Sequence, residues 1–202
     1  LYDELEALEK KTGVILADSI TQRAGVPVES DLPKVHHESP MLSLSKTKSR
    51  NELVDWLGGK AGCISWKLDG STVVLTYDNG VLIQAVTRGN GYIGEDITQQ
   101  ARKFAFVPTR INFMGKLIIR GEALMTYSEF ERVNAKQPES AKYKNPRNLA
   151  SGTMRALDDS LLDERRVEFH PFTLVSAEGY VSNSYSERLD WLHELGFSPV
   201  EH

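Results

Sequence analysis

Cysteine is nearly absent from this chain: among 202 residues there is only Cys63. A single thiol makes no internal disulfide, which excludes a disulfide-stapled scaffold. Histidine is almost as sparse, with His36 and His37 adjacent and His170, His193 and His202 scattered. No Cys/His group has the spacing of a zinc site, so no metal centre is expected in these residues. Cys63 lies in an apolar stretch with no base near it in sequence, and its expected role is that of a small buried hydrophobe. No apolar run approaches the roughly 18 residues of a membrane span, and the first residues show no basic-then-apolar signal pattern. The expected setting is cytoplasmic, away from membranes. Repeats and low-complexity tracts are also lacking. The net charge of −4 argues against a module whose main task is gripping a polyanion.

Hydrophobic residues make up 40% of the chain and charged residues 26%, enough for one core under an ordinary surface. "LYDELEALEKKTG" reads as a helix stopped by Gly13, and Val14 to Lys48 reads mostly as loop, interrupted by Pro27, Pro33 and Pro40. In "SRNELVDWLGG", Ser49 and Glu52 have capping-box spacing, and Gly58-Gly59 ends the helix. "GCISWKLDG", "STVVLTY" and "VLIQAVTRG" are rich in β-branched and aromatic residues and predict strands, with Asp78-Asn79-Gly80 as a hairpin turn. "GEDITQQARKF" predicts a helix, "KLIIRGEALM" a strand, and "TYSEFERVNAK" a helix capped by Thr126. Asn145-Pro146 opens a further helix, "RVEFHPFTLVSA" reads as a strand, and "SYSERLDWLHELG" as an amphipathic helix stopped at Gly196. The fold class is α+β, with antiparallel β-sheets flanked by helices.

Two stretches could carry chemistry. "GNGYIG", residues 89–94, matches a dinucleotide-binding glycine pattern. A Rossmann turn also needs a βαβ unit and an acidic residue about 20 positions on. Residues 108–121 contain no Asp or Glu, and the neighbouring strands read as hairpins. These glycines therefore shape a tight loop. The second stretch is Lys67-Leu68-Asp69-Gly70 at the end of an apolar run. Lys67 is either a surface lysine beyond a buried strand, or a half-desolvated amine kept partly neutral for reaction. A neutral lysine amine can attack phosphorus, and such attack needs fixed positive charge around the phosphate oxygens. Arginines suit that task through their permanent charge and forked donors. Candidates are Arg88, Arg120, and the pair Arg147 and Arg155, which fall within about 80° of each other on a helix. The stretch from Lys142 to Arg166 is locally basic despite the acidic whole.

With "SITQRAG", "PMLSLSKT", "KLDG", "YDNGVL", "TRGNGYIGEDIT", "IRGEALM" and "NPRNLASGTMRALD" in this order, the chain resembles the nucleotidyl-transferase (adenylation) domain of bacterial NAD-dependent DNA ligases. The resemblance covers about residues 1–200. It implies the nucleotidyl-transferase, ATP-grasp-like ligase core architecture and a lysyl-AMP intermediate on Lys67, formed from NAD with magnesium as a phosphate counter-ion. Ser43 and Leu44 would border the adenosine, Glu122 would accept from ribose hydroxyls, and Arg88 would meet a phosphate. Arg147 and Arg155 would hold phosphate of the cofactor or of nicked duplex DNA. Phe172 would stack on adenine, and Ser65 and Asp69 beside the lysine would complete the cofactor-binding set.

The departures are equally specific. Two residues before the lysine the family usually has glutamate, where this chain has Ser65; a backbone reading of adenine would be unaffected, a carboxylate reading would be lost. Asn90 stands where relatives have aspartate and is expected to keep the turn. The resemblance divides the chain into residues 1–40, the tail of an N-terminal helical segment and its connection, and residues 41–202, an adenylation domain incomplete at its C-terminal end. Lys144 is the last lysine, so the family's later pocket lysines are not found here. Zinc is expected only in a separate C-terminal module. The expected protein is a monomer whose isolated core ligates nothing and self-adenylates poorly. A non-catalytic adenosine-nucleotide or DNA-binding fragment of the same fold is the alternative. An ATP-dependent ligase or capping enzyme shares only K-x-D-G.

Overall fold

A computed structural model describes residues 8, 9, 11, 12, 31–41, 44–158 and 160–202. Of the first expected helix, Leu8, Glu9, Lys11 and Thr12 are helical; the rest of that stretch, most of the following loop, and Ser43 lie outside the described residues. In chain order the elements are β1 (Lys34–His36), α1 (Arg50–Leu57), β2 (Ser71–Asp78), β3 (Val81–Thr87), β4 (Ile93–Glu95) and α2 (Thr98–Ala101). They are followed by β5 (Lys116–Leu124), α3 (Tyr127–Asn134), α4 (Pro146–Met154), α5 (Leu161–Glu164), β6 (Glu168–Ala177) and α6 (Tyr185–Glu194).

The strands form a four-stranded antiparallel sheet of order β3-β2-β5-β6 and a two-stranded antiparallel sheet of β1 and β4. Helices accompany the sheet, so the α+β expectation holds. Asn79 and Gly80 both take positive φ, 47° and 80°, as a two-residue hairpin turn requires, and join β2 to β3. The helix starts follow local chemistry. Ser49, Thr126, Asn145 and Ser184 each sit in extended backbone and accept a hydrogen bond from the amide three residues on. Pro146 occupies the first turn of α4, where its missing N–H costs nothing.

Period-two alternation divides the main sheet. Val73, Leu75 and Tyr77 of β2 and Leu117 and Ile119 of β5 point to one buried face, joined in the core by Leu149 of α4 and Leu189 and Leu192 of α6. Tyr77 donates to the Pro108 carbonyl at 2.7 Å and meets Phe197 edge-on at 5.6 Å. The opposite face carries Thr72 across from Glu122 and Val74 across from Arg120. Here the cavity opens.

Two sequence expectations need correction. Residues 61–69 are not a strand; β2 begins only at Ser71. Ile64 and Trp66 are 90% and 69% exposed, and Cys63 is exposed rather than buried. A β-rich stretch becomes a strand only when a neighbour pairs with it, and both edges of β2 are taken by β3 and β5. This arm meets Glu201 instead, through the Trp66 amide at 3.3 Å and indole N–H at 3.0 Å. "GEDITQQARKF" is also divided: Glu95 ends β4, and only Thr98–Ala101 is helical. Asp96 accepts from the Thr98 amide and hydroxyl, and Thr98 Oγ1 in turn accepts from the Ala85 amide, tying this turn to β3.

Candidate functional site

The cavity has two lobes. One, about 630 Å³, is lined by Met41, Leu44, Ser65, Trp66, Leu68, Arg120, Phe172, Thr173 and Tyr185. The other, about 460 Å³, is polar and is lined by Gly70, Ser71, Thr87, Gly89, Glu95, Arg147, Ser151, Met154 and Arg155. Lys67, Thr72, Arg88 and Glu122 line both. Each lobe has the size of a small-molecule site.

Lys67 thus stands at the junction. It is exposed, which corrects the half-desolvated alternative, and its ammonium has no hydrogen bond or ion pair among the described residues. Its position comes from the residues around it. Three residues on, the Gly70 amide donates to Glu122 Oε1 at 3.1 Å, and Thr72 Oγ1 donates to Glu122 Oε2 at 2.9 Å. Glu122 therefore pins the start of β2 to β5. Burial raises its pKa above the ordinary carboxylate value, against the lowering effects of the Thr72 and Gly70 hydrogen bonds and of the Lys67 and Arg147 charges.

Gly70 itself leaves no room for a side chain: a Cβ there would lie 2.3 Å from the Ala123 carbonyl oxygen. Backbone contact at this point explains why K-x-D-G ends on glycine. Asp69 is not part of the lining of either lobe; it is 78% exposed and pairs with Arg147 at 2.9 Å.

Arg88 follows β3 directly, and its backbone is held from three sides. Its amide donates to the Thr72 carbonyl at 2.9 Å, and its carbonyl accepts from the Gly91 amide at 3.0 Å and lies 3.1 Å from His37 Nε2. Asn90 Oδ1 accepts from the Tyr92 and Ile93 amides at 3.0 and 2.8 Å, so the turn survives with asparagine in place of aspartate. The glycines of "GNGYIG" serve that turn: Gly89 and Gly91 have φ of 55° and 93°.

Phe172 reaches the cavity through a β-bulge. Arg120 pairs with Thr173 and Gly121 with Pro171, which leaves Phe172 as the unpaired extra residue, and a bulge redirects such a side chain. It also packs against the core, so the core role and the cavity role coexist. Tyr185, at the start of α6, donates its hydroxyl proton to the Phe172 carbonyl. Arg155, which ends α4, lines the polar lobe with Arg147, an arrangement the helical spacing permits.

The lobes gather Lys67, Leu44, Ser65, Arg88, Glu122, Arg147, Arg155 and Phe172; Asp69 stands outside the lining. Thr72, Thr173, Tyr185 and Trp66 belong to the lining but were not among the sequence candidates. Thr72 could have been found from the alternation that places it opposite Glu122; Thr173 and Tyr185 depend on the bulge and on the docking of α6.

An apolar lobe and a cationic lobe sharing one lysine define a pocket that can hold a nucleotide with its phosphate at an amine. The family model for the NAD-dependent DNA ligase adenylation domain matches residues 29–202, and the chain belongs to that family. Proteins named DNA ligase from Lachnoclostridium phytofermentans and Ruminiclostridium cellulolyticum are 51% and 49% identical over 203 residues. Each match covers 100% of this chain and 31% of the relative. A DNA ligase of Campylobacter fetus subsp. fetus is 35% identical over 205 residues, covering 98% of this chain and 32% of its own length. The chain thus spans about a third of the length of the curated relatives it matches.

Proposed function

We propose that this domain captures AMP on Lys67, with NAD as the donor, and that the whole protein passes it to nicked DNA. The observation that supports this reading is the place of Lys67 at the junction of an apolar and a cationic lobe. Adenine occupies the apolar lobe against Phe172, Glu122 accepts from the ribose, and Arg88 faces the α-phosphate. Having given up a proton to solvent, the Lys67 amine attacks the α-phosphorus, forming a P–N bond. The bond from that phosphorus to the bridging oxygen breaks, and nicotinamide mononucleotide leaves with the electron pair. The amine proton passes to solvent, which the exposed lysine allows. Guanidinium groups stabilise the charge that develops on the phosphate oxygens.

In the second step a 5′-phosphate oxygen of nicked DNA attacks the same phosphorus and Lys67 is released. In the third, the 3′-hydroxyl attacks the 5′-phosphorus, its proton goes to solvent, and AMP leaves. Arg147 and Arg155 serve the phosphates of donor or DNA. Leu44 and Ser65 border the adenosine, and Ser43, outside the described residues, is assigned there with them. Asp69 acts by pairing with Arg147 rather than by touching the donor.

The residues present do not fit a protein-held magnesium site. Among the described residues no three His, Cys, Asp or Glu side chains could hold a metal ion, and the two carboxylates of the polar lobe are engaged, Glu122 by hydrogen bonds and Glu95 by Lys34 at 3.4 Å. A magnesium ion would arrive on substrate phosphates, and no step here depends on it. We assign residues 41–202 to the adenylating unit and the preceding residues to a connection. Among the described residues no helix is long and apolar enough to cross a membrane. The working protein is a monomer in the cytoplasm.

The test is incubation with NAD labelled in its adenylate. A chain extended to the length of its relatives gains an acid-labile AMP adduct, and Lys67→Met gains none. The 202 residues alone label slowly. Rapid stoichiometric labelling of the 202-residue chain would refute that last point.

A further inference from the structure

Phe172 enters the apolar lobe from a place in β6 where the ladder does not fix the backbone. Arg120 pairs with Thr173 and Gly121 with Pro171, so Phe172 has no partner across the sheet. An unpaired bulge residue takes its direction from whatever else holds its peptide group. Here that group is held from outside the sheet: Tyr185 donates its hydroxyl proton to the Phe172 carbonyl.

The donor is itself anchored. Tyr185 opens α6 directly after Ser184, whose side chain accepts from the Glu187 amide at 3.3 Å. Leu189 and Leu192 fix the same helix in the core, and Trp191 stacks on Tyr180 with ring centroids 3.9 Å apart. Tyr185 also lines the apolar lobe with Phe172 and Thr173. Burial raises the pKa of its phenol above the ordinary value, against the lowering effect of a hydrogen bond with the Thr173 side chain. The hydroxyl therefore remains a donor at neutral pH.

The consequence is for the base. A stacking ring contributes only at the right offset and tilt, and a bulge free to turn its peptide spreads the ring over several orientations. We propose that Tyr185 is a positioning residue of the base lobe: its hydroxyl clamps the bulge, so that the Phe172 ring is already in place when a purine arrives. This rests on the reading that the base occupies the apolar lobe against Phe172. The clamp belongs to a helix rather than to the sheet or the arm, and the docking of α6 on β6 thereby becomes part of nucleotide affinity.

Titration calorimetry of the 202-residue chain with AMP tests it through a double-mutant cycle. Tyr185→Phe keeps the ring and removes the clamp; it should weaken AMP by about fivefold, the worth of one hydrogen bond. Phe172→Leu keeps an apolar side chain for the core and removes the stacking face; it should weaken AMP by about tenfold. Once Phe172 is replaced by leucine, Tyr185→Phe should cost less than about twofold more, because the clamp then has no ring to place. Ribose 5-phosphate, measured by competition with AMP, should bind the parent and Tyr185→Phe equally, which a general loosening of the fold would not give. AMP weakened by Phe172→Leu but not by Tyr185→Phe, losses that multiply in the double variant, or weakened ribose 5-phosphate overturns the inference and leaves the base-lobe reading intact. AMP that fails to bind the parent, or that binds Phe172→Leu as well as the parent, overturns the base-lobe reading and the inference together.

Discussion

The main sheet and the arm at residues 61–69 carry the two halves of one site by opposite means. In the sheet, Thr72, Arg120 and Glu122 stand on strands whose other face is buried, at positions that follow from ladder register, and Phe172 enters at the bulge of β6. The arm carries Lys67 on backbone outside the sheet, with Ile64 and Trp66 in solvent. The proposed binding groups are thus fixed in the fold, whereas Lys67, the proposed nucleophile, sits on a segment tied down at Trp66 and Gly70. A site divided in this way can hold a nucleotide before its reactive amine is locked in place.

The largest effect expected from breaking that contrast is on the sheet side. A Cβ at Gly121 would lie 2.4 Å from the Phe169 ring and 2.6 Å from the His170 carbonyl oxygen. Gly121→Ala should cost about 3 kcal/mol, as overpacking a core strand does. At Gly62, in the arm, the nearest obstacle is the tip of the Leu57 side chain at 2.9 Å. Gly62→Ala should change stability by less than about 0.5 kcal/mol. Denaturant unfolding of the two variants measures both, and equal costs would erase the distinction.

Glu122 sharpens the comparison through pH. Burial raises its folded-state pKa above the ordinary carboxylate value. Its contribution to stability is therefore present at acid pH and is lost as pH rises through the raised value. As pH rises from the ordinary carboxylate range through the raised value, the stability of Glu122→Gln should improve relative to the parent, while nucleotide affinity falls through loss of the proposed ribose acceptor. Thermal melts across that range check the sign; a parallel pair of curves would show that the carboxylate is not penalised by burial.

The smallest effect belongs to the Asp69–Arg147 pair, whose side chains are 78% and 56% exposed. Asp69→Asn should change folding stability by less than about 1 kcal/mol, as solvent-screened pairs do. If the pair orients Arg147 in the polar lobe, adenylate capture should fall while the melting curve barely moves. A large loss of stability would instead make Asp69 a structural residue.

Much of the fold was legible because its signals are local. Asn79-Gly80 carries the hairpin in its own backbone preferences, and Ser49, Thr126, Asn145 and Ser184 mark helix starts within three residues of each cap. The arm was misread because its composition suits a strand, while strand formation depends on a neighbour that composition cannot show. The site divides along the same line. Glu122, Arg147 and Arg155 could be placed by strand and helix period, whereas Phe172 reaches the cavity through a register shift between β5 and β6. Thr173 and Tyr185 were hidden for the same reason, since pairing and docking across the chain position them.

Mapping the AMP adduct by peptide mass spectrometry, after supplying NAD to a chain of full relative length, tests the central claim most directly. The account predicts one acid-labile adduct, on the peptide containing Lys67, and its disappearance in Lys67→Met. A folded protein that carries AMP on another residue, or that remains unlabelled while sealing nicks, would contradict it.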